Sequence, residues 1–388
     1  MAAPSAGAIL SDLGADVIKV EPPRGDPLRG LSRQPKVAEG EPTIDAAFNV
    51  NNRGKRSIAV SVDRPEGADL VKQLIAESDV FLTNLLTHRQ QRYGLDPESL
   101  LSVNARLVHA TLTGYGRTGP EAARPGYDVT AFFGRGGVSH SITDPGTPPP
   151  RAPTAQGDHT TGLAMVSSVL AALRLAERTG EMQVVDVSLL ATALWSMATE
   201  VAPALIDRRQ PPARDRRHQV NALANRYPCA DGKWILLLMP EGHWWPRFCE
   251  TVGEADLGAD PKYDTPKKRY DVMPEIVDRI DAIMSTKTAE EWGQIFDDAG
   301  LIWGPIQTLP EVVSDPQAKA IGAFVEQDYP EGGGTFETVA VPIRIEGADI
   351  APRGTAPDVG ADTDTVLGAL GLSSAQIDEL RAAGTIGE

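Results

Sequence analysis

Two carboxylates, a phenol and an imidazole stand where this chain could do covalent or acid–base chemistry. Asp158 follows Gly157 and opens a run in which Leu163, Val166, Leu170 and Leu173 recur at spacings of three, four and three. That spacing predicts a helix with one buried face, closed by Gly180. Two readings of Asp158 follow. As a helix N-cap, its carboxylate accepts a backbone N–H. As a nucleophile it exploits the same setting, where N–H donors and the positive end of the helix dipole keep it ionised. Those donors could also hold an oxyanion formed when the carboxylate attacks a thioester, and Gly157 would let a bulky substrate approach the backbone. Side-chain chemistry alone does not choose between the two.

Tyr127 and Asp128 lie in the glycine- and proline-punctuated loop RPGYD. There they serve either as turn residues or as part of a pocket. His159 could act as a base, but no third partner is legible, and capping or surface duty is the plainer reading. Residues 114–119, GYGRTG, match G-x-G-x-x-G formally. A dinucleotide site needs a helix to open at those glycines; Pro120 follows instead, and no acidic residue ends a later strand. Trp244-Trp245 reads as core rather than a substrate platform. Six scattered histidines and two distant cysteines, Cys229 and Cys249, offer no metal-binding spacing.

The elements that must position these groups alternate. Strands are expected at 16–21, 57–62, 80–84 and 106–113, with a helix over PEGADLVKQLIAESD between the second and third. Strand–helix–strand at this spacing predicts a parallel sheet with right-handed crossovers, a Rossmann-like lobe over residues 1–200. The proline-rich PGTPPPRAP at 145–153 is a loop, and 184–190 is the next strand. A polar, proline-bearing linker is expected at 201–215, then a smaller α+β lobe over 216–325. It would start with a hairpin turning at Asp231-Gly232, followed by helices near 244–252, 272–284 and 288–299. Residues 326–388 would return to the large lobe through a strand-like VAVPIRI and a final helix at 374–383.

Composition narrows the function further. The net charge of −16 disfavours broad binding to nucleic acid or anionic membrane. From Ile306 onward 14 acidic residues face 4 basic ones, whereas the first 60 residues hold 8 basic and 7 acidic, including Arg53, Lys55 and Arg56. A phosphate-bearing ligand is therefore better received by the N-terminal part, although a basic cluster also serves as a solvated face. No run of 18 apolar residues and no basic n-region occur, so a cytoplasmic protein is expected.

Several segments taken in order resemble the CaiB/BaiF family of class III CoA-transferases. They are LSDLGADVIKVEPPRGDPLRG, NNRGKRSIAV, the stretch from Asp79 to Pro120, GYDV, GDHTTG with its helix, and APDVGADTDTVLGALGLSSAQIDEL. The resemblance implies an intertwined homodimer whose active site lies between lobes and is completed by both chains. It implies that Asp158 attacks an acyl-CoA to give an acyl-aspartyl anhydride, then an aspartyl-CoA thioester from which CoA passes to an organic acid. Acyl-CoA is then a substrate, and no permanently bound cofactor is needed. By motif, CoA contacts fall to Arg29, Val60, Ser61, Val62, Asp63, Asn84, Leu85 (where Phe is usual), Arg92 and Arg124. Tyr127, Asp128 and Gly157 would line the substrate pocket.

Departures from the family pattern bear on the outcome. The strand and A-G-P loop that precede this region in the family are not present ahead of Met1-Ala2-Ala3-Pro4. MPEGHWW at 239–245 replaces the glycine-rich loop of formyl-CoA transferases, against formate or oxalate specificity. Tyr127 stands where the racemases of the family carry His, so two-base proton exchange lacks one base. An acyl-CoA racemase and a non-catalytic CoA-binding protein remain as alternatives to CoA transfer.

Overall fold

The computed structural model describes residues 1–31, 42–211, 215–330 and 332–387, so positions 212–214 of the expected linker lie outside it. The chain forms two compact units. One comprises residues 1–141, 151–208 and 317–388; the other comprises 142–150 and 209–316.

The first unit runs α1 (Ala2–Asp12), β1 (Ile18–Glu21), α2 (Ala46–Asn52), β2 (Arg56–Ala59), α3 (Pro65–Ala76) and β3 (Val80–Thr83). It continues with α4 (Thr87–Tyr93), α5 (Pro97–Leu100), β4 (Val108–Thr113), a π-helix (Asp128–Arg135) and α6 (Val138–Ser141). Then come α7 (Gln156–Thr179), β5 (Gln183–Ser188), α8 (Leu189–Ser196) and α9 (Ala198–Asp207). The pairings among β1 to β5 are parallel, as the alternation predicts. The ladder nevertheless comes in two pieces, β1–β2 and β3–β4–β5, and α3 crosses from one to the other. A free edge of β2 does not reach β3. The chain's last residues occupy the neighbouring positions, with Val60 bridged to Ile386, and Gly387 N donating to Ala59 O at 2.9 Å.

Helix α7 is the central beam of this unit. It packs on α1, β4, β5, α8 and the π-helix. By length and hydropathy alone it could cross a membrane, but those contacts use it as a core helix. Gly180, at φ 72°, closes it as expected. The predicted stripe holds in part: Val166 is buried and Leu163 and Leu173 are half-buried, while Leu170 is exposed. The buried face also takes in Thr161, Met165, Val169, Ala172 and Ala176. The reason lies in α1, whose small residues bring the two helices close. A Cβ on Gly162 would sit 2.3 Å from Ser5 Oγ. The approach of α7 to α1 thus centres on a glycine, and Met165, Val166 and Val169 fill the core beside it.

The second unit holds β6 (Ala224–Pro228) and β7 (Trp234–Leu238), α10 (Trp244–Thr251), α11 (Ala255–Ala259), α12 (Pro266–Asp271), α13 (Met273–Met284), α14 (Ala289–Asp298) and β8 (Trp303–Pro305). The hairpin turns at Asp231-Gly232, with Gly232 at φ 76°, a conformation glycine supplies at least cost. Its antiparallel sheet packs with the helices over Tyr227, Trp245, Phe248, Trp292 and Phe296. Trp245 is thus core. Beyond it come α15 (Leu309–Ser314), α16 (Pro316–Ala320), the antiparallel β9 (Phe324–Asp328) and β10 (Thr335–Val339), α17 (Thr363–Ala369) and α18 (Ser374–Ala382). The expected strand over VAVPIRI stops at Val339. Pro342 has no N–H for a ladder, and Arg344 turns its guanidinium to Ile321 O instead.

Candidate active site

The G-x-G-x-x-G run does structural work at the carboxyl end of β4. A Cβ on Gly114 would fall 2.6 Å from Gly126 Cα, so the two backbones touch and pin the RPGYD loop there. Gly116 and Gly119 take φ of 94° and 88° in turns, and no helix opens at them. The loop then delivers Tyr127 and Asp128 in opposite senses. Tyr127 is 77% exposed, whereas Asp128 is 6% exposed. Thr130 Oγ1 ties the junction by accepting from Tyr127 N at 3.0 Å. Asp128 opens the π-helix, a geometry concentrated at functional sites.

Asp158 arrives from the other side. After the proline-rich loop, Ala155 adopts φ 60°, a left-handed conformation that costs an L-residue about 1–2 kcal/mol. That turn starts α7 abruptly, and Ala155, not Asp158, is the N-cap. The capping reading of Asp158 is therefore corrected. It is the third residue of the helix, in the first turn, where unpaired N–H groups and the dipole favour an anion. Its side chain is 14% exposed, and the Met1 amino group lies 3.8 Å from Oδ2.

Gly157 is what lets Asp128 lie against the start of α7. A Cβ there would lie 2.3 Å from Asp128 Oδ1 and 2.4 Å from Phe132 Cγ. The glycine thus serves packing against the π-helix. Asp128 is buried, its oxygens shut off from solvent and near the amides of Gly157 and Ala155 without a well-formed hydrogen bond. Burial raises its carboxyl to about 6, and the nearby Asp158 charge pushes the same way; the amides of Gly157 and Ala155 and the Met1 amino group oppose this only in part. His159 has a partner that sequence reading missed. Its Nε2 lies 3.1 Å from Oδ1 of Asn51 on α2, so the amide oxygen assigns the proton to Nε2. Burial holds the imidazole below its ordinary pKa, toward the neutral form.

The basic residues near the N-terminus are mostly committed. Arg53 is 2% exposed and grips Asp12, while Lys55 donates to Pro4 O, Asn51 O and Asn52 Oδ1. Neither forms the solvated or ligand-facing cluster that charge counting suggested. Arg29 pairs with Glu21 through Nε at 2.9 Å and Nη2 at 2.5 Å, and covers the Phe48 ring. Burial works to raise the Glu21 carboxyl, but bonds from Arg29, Ser57 and the Asp26 amide outweigh it and hold it low. Val60 is buried and Ser61 N donates to Thr385 O at 2.8 Å, while Val62 is half-buried and Asp63 exposed. Asn84 is exposed and Leu85 half-buried just beyond β3. Arg92 is exposed at the end of α4, and it shares the Tyr93 ring with Arg89. Arg124 pairs with Glu121 at 3.1 Å.

The profile of CoA-transferase family III matches residues 1–363. This chain belongs to CoA-transferase family III. It is an enzyme of the CoA-transferring type, and its relatives in the family differ in the acids their names specify. It is 31% identical over 385 residues to (R)-2-hydroxy-4-methylpentanoate CoA-transferase of Clostridioides difficile, covering 98% of this chain and 95% of that protein. It is 33% identical to succinate–glutarate CoA-transferase of Agrobacterium fabrum, over 95% of this chain and 92% of that one. A crystal structure of a CaiB/BaiF family protein from Brucella suis superposes with a TM-score of 0.83 at 30% identity, covering 95% and 96% of the two chains. The CaiB/BaiF-type α/β fold is thus common to both.

Proposed function

We propose that this family III enzyme moves CoA from an acyl-CoA donor to a carboxylic acid through covalent bonds to Asp158. The placement of Asp158 carries the reading. It lies in the first turn of α7, next to the Gly157 on which Asp128 packs, where unpaired backbone N–H groups can hold a developing oxyanion. One Asp158 oxygen attacks the thioester carbon, the C–S bond breaks, and CoA leaves as thiolate. The thiolate then attacks the aspartyl carbonyl of the anhydride, giving aspartyl-CoA and the free donor acid. An acceptor carboxylate repeats the two steps in reverse, regenerating Asp158. A carboxylate is a weak nucleophile in water, so orientation and exclusion of water from the anhydride supply much of the rate.

Oxygen bookkeeping tests this route. Each released donor acid keeps one oxygen that came from Asp158, and each acceptor leaves one behind. Turnover with an acceptor acid labelled with oxygen-18 in its carboxylate should therefore put label into the released donor acid after the first cycle. Mass spectrometry of that acid reads the result. Label that never leaves the acceptor, while CoA transfer proceeds, would exclude an aspartyl intermediate.

The CoA-binding assignments keep their motif basis, with roles adjusted to the contacts. Arg92, exposed beside Tyr93, is the phosphate partner; Arg29 is braced by Glu21 and acts from within that pair. Val60, Ser61, Val62, Asp63, Asn84, Leu85 and Arg124 complete the CoA path, and Tyr127 shapes the thioester end. Self-association in an intertwined dimer is supported by bare apolar residues on α8 and α9, which bend by 86° and expose Trp195, Leu205 and Ile206. Two free, buried thiols suit the cytoplasm.

A further inference from the structure

We propose that Asn51 is a positioning residue for the reaction: through the imidazole of His159 it fixes the first turn of α7 and so aims the Asp158 carboxylate. The proposal rests on Asp158 being the nucleophile.

Asp158 is not held by hydrogen bonds of its own. Among the described residues its side chain makes none, and the Met1 amino group stands 3.8 Å away, longer than such a bond. Ala155, the N-cap, has no side-chain group that could accept from the unpaired amides of the helix start. A helix begun this way frays unless something outside it holds the first turn. The residues on either side of Asp158 supply that hold. Gly157 lies against Asp128 and Phe132 of the π-helix. His159 donates from Nε2 to Asn51 Oδ1 on α2 at 3.1 Å. At 3.6 residues per turn, positions 157 and 159 stand about 200° apart around the axis, so the braces fall on roughly opposite sides with Asp158 between them. The other side-chain bond of this turn, Thr160 Oγ1 to Gln156 O at 2.8 Å, is internal to α7 and anchors it to nothing else.

Asn51 is itself firmly held. It is 4% exposed, and its Nδ2 donates to Ala47 O at 2.7 Å, which leaves Oδ1 turned to His159. Its carbonyl accepts from Lys55 Nζ at 2.8 Å, and the same ammonium bonds Pro4 O on α1 at 2.8 Å. Hydrogen bonds thus run from α1 through the end of α2 to the residue after the nucleophile. One turn further along, Gly162 rests against Ser5 of α1 and keeps the same registration.

Registration matters because the Asp158 oxygen must meet the thioester carbon along the line of attack. A shift of about 1 Å in a reacting group costs on the order of 10²-fold in rate. Asn51 therefore acts on the aim of Asp158 and not on the binding of CoA, whose path follows other residues.

The test measures kcat and KM for an acyl-CoA that the native enzyme turns over, at saturating acceptor acid. The variants are Asn51→Leu, His159→Leu, the two combined, and His159→Gln. Asn51→Leu and His159→Leu should each lower kcat on the order of tenfold and leave KM within about twofold of native. The double variant should lose no more than the worse single one, because both changes break one contact. His159→Gln carries an amide N–H in place of the ring Nε2–H and should keep kcat within about threefold of native. Thermal melts check folding. Should Asn51→Leu not fold, the contrast between His159→Gln and His159→Leu reads the same bond from its other end. Native kcat in a folded Asn51→Leu, losses that multiply in the double variant, or equal kcat for His159→Gln and His159→Leu each overturn the proposal. If oxygen-18 still passes through Asp158 in such a case, only the Asn51 role fails; if it does not, the covalent reading fails first.

Discussion

Asp158→Asn is expected to lower kcat for CoA transfer by on the order of 10⁴-fold or more while leaving acyl-CoA affinity within a few-fold of native. The substitution is nearly isosteric and keeps the first turn of α7, so packing against Gly157 and the π-helix should survive. It removes the only property that the reaction uses, an oxygen able to bond carbon and then be released. Binding depends on residues elsewhere along the CoA path, so KM-type losses should be small. Asp158→Ala should behave alike and guards against slow deamidation of Asn restoring activity. Steady-state kinetics with isothermal titration of a CoA thioester separates the two effects. Equal losses in affinity and rate would mean that Asp158 holds the substrate rather than reacts with it.

The largest expected loss of stability lies away from the chemistry. Arg53 and Asp12 form a buried ion pair that joins the end of α2 to the end of α1, with Nη2–Oδ2 at 2.6 Å and Nη1 donating to Val339 O at 2.8 Å. Burial outweighs the attraction of Arg53 and raises the Asp12 carboxyl above its ordinary range. The pair is thus costly to bury, and half of it is worse. Arg53→Met leaves a carboxylate in the core and should destabilise the first unit by about 3–5 kcal/mol. The loss should deepen as pH rises, because a group with a raised folded pKa favours the folded state in acid and loses that contribution on ionising. Adding Asp12→Leu removes the stranded charge and should recover much of the loss. Denaturant unfolding of Arg53→Met, of Asp12→Leu alone and of the double variant, read as a double-mutant cycle, measures the coupling. A loss below about 1 kcal/mol for Arg53→Met would show that water or local rearrangement solvates Asp12.

What the sequence discloses, and what it hides, follows from the range of the forces involved. The Asp231-Gly232 hairpin, the Gly180 stop and the helix over residues 289–298 are written in neighbouring residues, and each is found in place. Thr288 and Glu291 even form the reciprocal cap that such a helix start needs. The exposure of Leu170 on α7 does not follow from hydrophobic periodicity, because α1 meets that helix through alanine, serine and glycine, which the periodicity does not register. Arg53 and Lys55 looked like surface charges because their partners, Asp12 and Pro4, lie far away in the chain. Asp158 was singled out from its place before a helix, yet its position within that helix hinged on the φ of Ala155, which no composition rule fixes. The burial of Asp128 is hidden for the same reason: it depends on a glycine 29 positions later.

Hydroxylamine trapping tests the covalent step at its source. Enzyme incubated with a reactive acyl-CoA and hydroxylamine, without acceptor acid, should yield a hydroxamate on the peptide spanning residues 152–174, localised to Asp158 by fragmentation. The adduct should require the acyl-CoA and be missing from Asp158→Asn. A hydroxamate on any other carboxylate, or none from an enzyme that transfers CoA under the same conditions, would contradict a thioester-forming Asp158.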